Sequence, residues 1–191
     1  MNTEIAVRCE GGFSHMKIED MKKITTKRGD TGVSATYSNE LLPKDSLLFD
    51  VLGDLDELSS ALGVAWHRFP CETVKTIQTV LQAIGSLVAT NPETDGDRYR
   101  ALRPISEDYV RMLEEEGDRR LQGSPLQAKF YLPGSEGSEA GSFYDLARAI
   151  ARRAERTLVR FIRSAGRNDL YPSLKYLNRL SDYLFAMSRT V

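Results

Sequence analysis

The run Thr25-Thr26-Lys27-Arg28-Gly29-Asp30-Thr31-Gly32-Val33-Ser34 concentrates cations, hydroxyls and glycines within ten residues. Lysine and arginine bring charge, threonine and serine bring hydroxyl donors, and glycine lets backbone N–H groups point where an L side chain would not allow. Such a set suits a polyphosphate. Its order is not the G-x-x-x-x-G-K-[ST] of a P-loop, and no G-x-G-x-x-G occurs, so a nucleotide held here is held by another design.

A second constellation is ARAIARRAERTLVRF, in which Arg148, Arg152 and Arg156 recur every four residues and so rise along one edge of a helix, with Glu155 beside them. Like charges at this spacing repel by roughly 0.2–0.5 kcal/mol per pair. Either carboxylates of a neighbouring helix compensate them, leaving a solvated basic edge, or an anion does. Guanidinium groups hold phosphate by paired hydrogen bonds better than lysine can. In KYLNRLSDYLF, Asn178 and Asp182 share an edge at the same spacing; they read as a hydrogen-bonded pair across a bundle or as part of a site. Asp54, Asp56 and Glu57 cluster around Gly53. The glycine sits inside a helical pattern, where close approach of another helix would explain it. His15 and His67 lack companion ligands, and Cys9 and Cys71 lack a C-x-x-C partner, so neither a metal centre nor a disulfide framework is expected. No residue set is assigned to a metal. No Ser-His-Asp order and no paired glycosidase carboxylates stand out, so covalent catalysis by a side chain finds no support.

The elements that must carry these groups are helices. Leu48, Val51, Leu55, Leu58, Leu62 and Ala65 form a stripe that predicts a helix over about 46–68, stopped by Pro70. Val74, Ile77, Leu81, Ile84 and Val88 predict a second over about 71–90. NPETDGDRYRALRP reads as a loop. Ile105, Tyr109, Met112 and Leu113 mark a third over about 105–121. A Gly-, Ser- and Pro-rich segment around FYL precedes the strongest pattern, about 140–165, with Leu146, Ile150, Ala154, Thr157 and Phe161 on one face. Leu174, Leu177, Leu180, Leu184 and Met187 predict a fifth over about 172–189. The fold class is therefore all-α, a five-helix bundle, with some extended structure allowed before residue 46.

Composition sets outer limits. At 191 residues, one domain is favoured, with residues 1–21 as a flexible arm and 22–191 as the helical unit. Lys and Arg number 26 against 27 Asp and Glu, so no global charge draws the chain to nucleic acid or to an anionic membrane. The N-terminus lacks the apolar run of a secretory signal, and no stretch approaches a spanning helix, so a cytoplasmic protein is expected.

Three motifs coincide in order: TKRGDTGVS (26–34) with PKDS (43–46) and GDLDELSSALG (53–63); RRAER (152–156) preceded by Arg148; and YLNRLSDYLF (176–185). Together they resemble the PduO-type ATP:cob(I)alamin adenosyltransferases over nearly the whole chain. The resemblance implies that the five-helix bundle is of ferritin-like type, with an extended N-terminal segment that holds nucleotide, and that it forms a homotrimer with active sites between subunits. It implies an ATP loop comprising Thr26, Lys27, Gly29, Asp30, Gly32 and Ser34, with Lys44 near the phosphates, and Arg152, Glu155, Arg156 and Asn178 as further contacts to ATP or Mg²⁺. It makes Asp56 and Arg148 a pair that bridges subunits, and Phe130 the residue that keeps the lower axial ligand off cobalt. ATP, Mg²⁺ and cob(I)alamin are the implied small molecules, and an adenosylcobalamin-dependent enzyme is the implied recipient of the product. The implied reaction is attack by cobalt(I) on the ribose C5′ with triphosphate leaving.

On the corrin side the chain departs from the resemblance. Asp145 stands where the family has a histidine, and the loop PGSEGSEAGSFY is longer. These departures keep open an alternative, a non-catalytic relative that binds ATP or adenosylcobalamin for delivery or sensing.

Overall fold

The computed structural model describes residues 20–25, 27, 29–134 and 138–191. Most of the expected N-terminal arm, and Thr26 of the expected ATP loop, lie outside the described residues, as do residues 135–137 of the long loop. A 3-10 turn, Met21–Lys23, opens the described chain, capped by the Asp20 carboxylate, which accepts from the Lys22 N–H at 2.9 Å. Two short strands come next, β1 (Val33–Ala35) and β2 (Leu41–Pro43), paired antiparallel with Ser34 opposite Leu42. Six helices complete the described chain: α1 (Leu47–Arg68), α2 (Glu72–Ala89), α3 (Gly96–Ala101), α4 (Glu107–Gly123), α5 (Glu139–Ala165) and α6 (Tyr171–Thr190).

The five long helices occupy the expected stretches because their apolar stripes are continuous and no proline falls inside one beyond its first turn. The stripe of α1 is buried from Leu48 to Ala65. Ser138 caps α5, its hydroxyl accepting from the Gly141 N–H at 3.0 Å, and Gly166 ends that helix in the left-handed conformation at φ 67°. Pro172 sits in the first turn of α6, where its missing N–H costs nothing. Packing neighbours run in the order α2, α1, α5, α6, α4, so α5 is the central helix. One apolar core joins all five, and the Tyr144 hydroxyl ties the start of α5 to the α1–α2 turn by donating to the Phe69 carbonyl at 3.0 Å.

Two glycines of the helices differ in what surrounds them. At Gly141 an added Cβ would lie 2.5 Å from the Ser188 carbonyl oxygen, so only glycine lets α5 and α6 approach there. At Gly53 a Cβ would meet nothing, so the expected close helix approach is absent at that position among the described residues.

Three other expectations change. The stretch read as a loop after α2 contains α3, a short helix with no buried residue, which no apolar stripe could have announced. Leu146, placed on the core face of α5, is exposed, while its neighbours Asp145 and Ala147 are buried. The β-hairpin, allowed for only as some extended structure, is set by Asn39 at φ 60° and by hydrogen bonds between Thr36 and Glu40.

Candidate active site

The hairpin explains why TKRGDTGVS and PKDS act together. Antiparallel pairing of β1 with β2 returns the chain so that the Lys44 N–H donates to the Gly32 carbonyl at 2.8 Å. Turns close through Asp30 N–H to the Lys27 carbonyl and Gly32 N–H to the Gly29 carbonyl, at 3.4 and 3.2 Å. Gly32 takes φ 79° and Lys27, unusually for a side-chain-bearing residue, takes φ 58°. The Lys44 ammonium lies directly over Gly29, where a Cβ would come within 2.6 Å of Nζ. Lys27, Asp30 and Lys44 are exposed, and neither lysine has an ion-pair partner among the described residues. The backbone N–H groups of Asp30, Gly32 and Lys44 are taken up in holding these turns, so what the loop offers an anion is its lysine ammonium groups.

The arginine row of α5 divides into groups with different fates. Arg148 donates from Nε to Asp145 Oδ1 at 2.6 Å. Arg152 and Arg156 are exposed and have no carboxylate within ion-pair distance among the described residues. Compensation by α1 does occur, but it goes to Arg153, which the row did not include. Arg153 Nε donates to Asp54 Oδ1 at 2.8 Å, a second nitrogen bonds Glu57, and the Thr157 hydroxyl donates to Asp54 Oδ2 at 2.7 Å. The hydrogen bond to Asp54, with the charges of Asp54 and Glu57, holds the Arg153 pKa above the usual arginine value. Carboxylates of α1 therefore compensate none of the row: they are taken by Arg153, Arg148 is held by Asp145, and Arg152 and Arg156 are without an ion-pair partner among the described residues.

Glu155 and Asn178 meet, with the amide donating to Oε1 at 3.0 Å across the α5–α6 contact. Asp182 instead bonds Arg179, which also reaches Glu114 on α4. Arg148 and Arg152 line a groove of about 630 Å³ with Leu126, Asp182 and Phe185, an apolar wall with cationic and acidic groups on its edge. Phe130 lies on the segment after α4 and is fully exposed. Asp56 is elsewhere. It lines a second cleft, about 680 Å³, between α1 and α2 with Tyr37, Lys75 and Gln78, and has no partner within the chain among the described residues.

No described contact joins the Lys27–Lys44 loop to Arg152, Glu155, Arg156 or Asn178, nor Asp56 to Arg148. Sequence reasoning missed Arg153, Arg189 and the apolar wall from α4. Arg189 is bound to Asp145 over a separation of 44 residues, and no local pattern signals that pairing.

Residues 24–191 match the model of the family described as cobalamin adenosyltransferase. The chain is 38% identical over 174 residues to the corrinoid adenosyltransferase MMAB of Mus musculus, spanning 87% of this chain and 71% of that protein. It is 35% identical over 177 residues to the corrinoid adenosyltransferase of Bacillus subtilis, spanning 88% and 86%. Among solved structures, a variant PduO-type ATP:corrinoid adenosyltransferase from Lactobacillus reuteri, complexed with cobalamin and ATP, superposes with a TM-score of 0.78 at 32% identity, covering 87% of this chain and 92% of that one.

Proposed function

The chain belongs to the cobalamin adenosyltransferase family and transfers the 5′-deoxyadenosyl group of ATP to cob(I)alamin, and we propose that it does so in clefts completed between copies of itself. The observation that carries the proposal is the separation of the charged halves. Lys27 and Lys44 face out from the hairpin, Arg152 and Arg156 face out from mid-α5, and no contact among the described residues of one chain brings them together. Likewise Asp56, unpaired among the described residues, lies in one cleft while Arg148 lines another. A head-to-tail arrangement that sets the α1–α2 cleft of one copy against the α5–α6 groove of the next pairs Asp56 with Arg148 and closes as a ring; a homotrimer is the ring we propose.

In that cleft the loop of Thr26, Lys27, Gly29, Asp30, Gly32 and Ser34, with Lys44, holds the triphosphate, and Arg152 and Arg156 reach it from α5. The Glu155–Asn178 pair fixes the adjoining polar edge. In the reaction the electron pair of cobalt(I) forms a bond to C5′ while the C5′–O bond breaks and its electrons leave with triphosphate. No proton is moved at the reacting atoms, so no protein base is required. Catalysis by this chain is therefore orientation together with cations preset where negative charge accumulates on the leaving oxygen. Phe130, bare in the single chain, covers the corrin face once the cleft is closed. Mg²⁺ fits as a companion of the triphosphate, because Glu155 Oε2 has no partner among the described residues and this ion draws most of its ligands from phosphate and water. Residues 22–191 act as one domain, and the free thiol of Cys71 suits the reducing cytoplasm.

The test is an anaerobic assay with ATP, Mg²⁺ and reduced cobalamin, following the spectrum as the cobalt–carbon bond forms, alongside light scattering. A trimer whose turnover is lost in Asp56→Ala, and restored in mixed assemblies where an Asp56→Ala copy adjoins an Arg148→Ala copy, supports the shared cleft. A fully active monomer contradicts it.

A further inference from the structure

We propose that Asp145 is a positioning residue for corrinoid binding: through Arg189 and Tyr131 it fixes the segment that carries Phe130, a role that rests on the adenosyltransferase reading. Asp145 is 4% exposed, and each of its oxygens serves a different arginine. Oδ1 accepts from Arg148 Nε at 2.6 Å, and Oδ2 accepts from an Arg189 terminal nitrogen at 2.7 Å. Arg148 reaches the groove beside Arg152, whereas the Arg189 side chain is itself 4% exposed and cannot contact a ligand in solvent directly. Its guanidinium instead lies 5.3 Å from the ring centre of Tyr131 and 5.7 Å from that of Phe185. The two rings meet edge to face at 6.0 Å. Arg189 is thus a platform on which Tyr131 rests.

Tyr131 also organises its own segment, since its hydroxyl accepts from the Gln127 N–H and donates to the Gln127 carbonyl, both at 3.0 Å. Phe130 is held between these anchors with its ring outside. One carboxylate therefore couples the wall of the groove to the orientation of the aromatic residue next to it. The coupling depends on close packing of α5 on α6, which Gly141 permits against Ser188. A neutral side chain at 145 would leave two guanidinium groups facing each other, one of them buried, so neither could hold its place. The departure at Asp145 is then a different way of setting the corrin side, not a lost function.

The experiment compares wild type with Asp145→Asn and Tyr131→Leu. Tyr131→Leu leaves both ion pairs intact, so it decides the matter if Asp145→Asn does not fold. Trypsin cleavage after Lys129 in the ligand-free protein, followed by mass spectrometry, reads how firmly the segment is held. KM for cob(I)alamin and KM for ATP are measured on the same preparations. Both variants should be cut on the order of tenfold faster at Lys129, and KM for cob(I)alamin should rise about tenfold or more while KM for ATP stays within about twofold. Cleavage at the wild-type rate, faster cleavage with unchanged KM for cob(I)alamin, or an equal rise in both KM values overturns the inference. A wild type that forms no adenosylcobalamin, with the cleavage difference present, instead overturns the adenosyltransferase reading alone.

Discussion

Two basic regions of this molecule are built in opposite ways. Around the hairpin, Lys27 and Lys44 are exposed and unpaired among the described residues, and Lys27 sits on a turn with left-handed backbone. At the corner formed by α5 and the end of α6, Arg148 and Arg189 share a buried carboxylate, and Arg189 is stacked on two rings. The first arrangement leaves its cations without a partner among the described residues. In the second, one carboxylate ties two guanidinium groups within the fold, and the cluster serves to fix the position of something else. Neighbouring residues on α5 show the same contrast: among the described residues Arg152 has no ion-pair partner, and Arg153 is tied to Asp54 and Glu57.

That adjacency gives the sharpest way to break the comparison. Arg152→Ala should weaken ATP binding by about ten- to a hundredfold, the size expected for losing hydrogen bonds between charged groups, while leaving the melting temperature nearly unchanged. Arg153→Met should do the reverse, leaving ATP affinity within about twofold and lowering stability by about 1 kcal/mol because Asp54 and Glu57 lose a partner. Calorimetric titration and thermal unfolding check both. Equal loss of ATP affinity in the two variants would show that the paired and unpaired arginines are not different in kind.

The next test sharpens the description of the α5–α6 corner. Gly141→Ala inserts a methyl group 2.5 Å from the Ser188 carbonyl, where both groups are backbone-bound and neither can swing aside. Overpacking of this sort costs about 1–3 kcal/mol, which thermal unfolding would register as a fall of several degrees. The helices must part to admit the methyl, so Asp145 and Arg189 should separate. Retained melting temperature would mean that the close contact is not a constraint.

The helices were legible because each long one advertises itself by a stripe of apolar residues, from Leu48 to Ala65 and from Ile150 to Phe161. α3 buries nothing and so wrote no stripe. Within the candidate site only local chemistry shows in the string: the Lys27–Ser34 run stands out by residue type, whereas helical spacing pairs Asn178 with Asp182, and its contact with Glu155 on another helix enters only through the resemblance. What sequence could not apportion was charge between helices. Arg148, Arg152, Arg153 and Arg156 look alike in a string, and only tertiary placement gives Asp54 and Glu57 to one of them and Asp145 to another. Pairs such as Asp145–Arg189 depend on two helix ends meeting, which no periodicity records.

A third charged cluster, at the far end of α5, extends the comparison to its weakest case. Arg167 is buried and donates to the Leu87 carbonyl at 2.8 Å and to Asp169, whose other partner is the Tyr99 hydroxyl at 2.5 Å. Burial alone would raise the Asp169 pKa, but the hydrogen bonds from Arg167 and Tyr99 outweigh it and hold the carboxyl below its usual 3.8. A depressed carboxyl pKa in the fold means that the unfolded chain binds the proton more tightly. The stabilisation is therefore fully present above 3.8 and is lost as pH falls through the lower, folded value. Asp169 keeps 29% of its side chain exposed, so solvent screens the pair, and Asp169→Asn should cost only about 0.5–1 kcal/mol near neutral pH. Chemical denaturation across the acid range should show the two proteins converging as pH drops below 3.8. A gap that stays constant with pH would assign the loss to packing and not to the carboxylate's charge, and would remove this cluster from the class of charges paired within the fold.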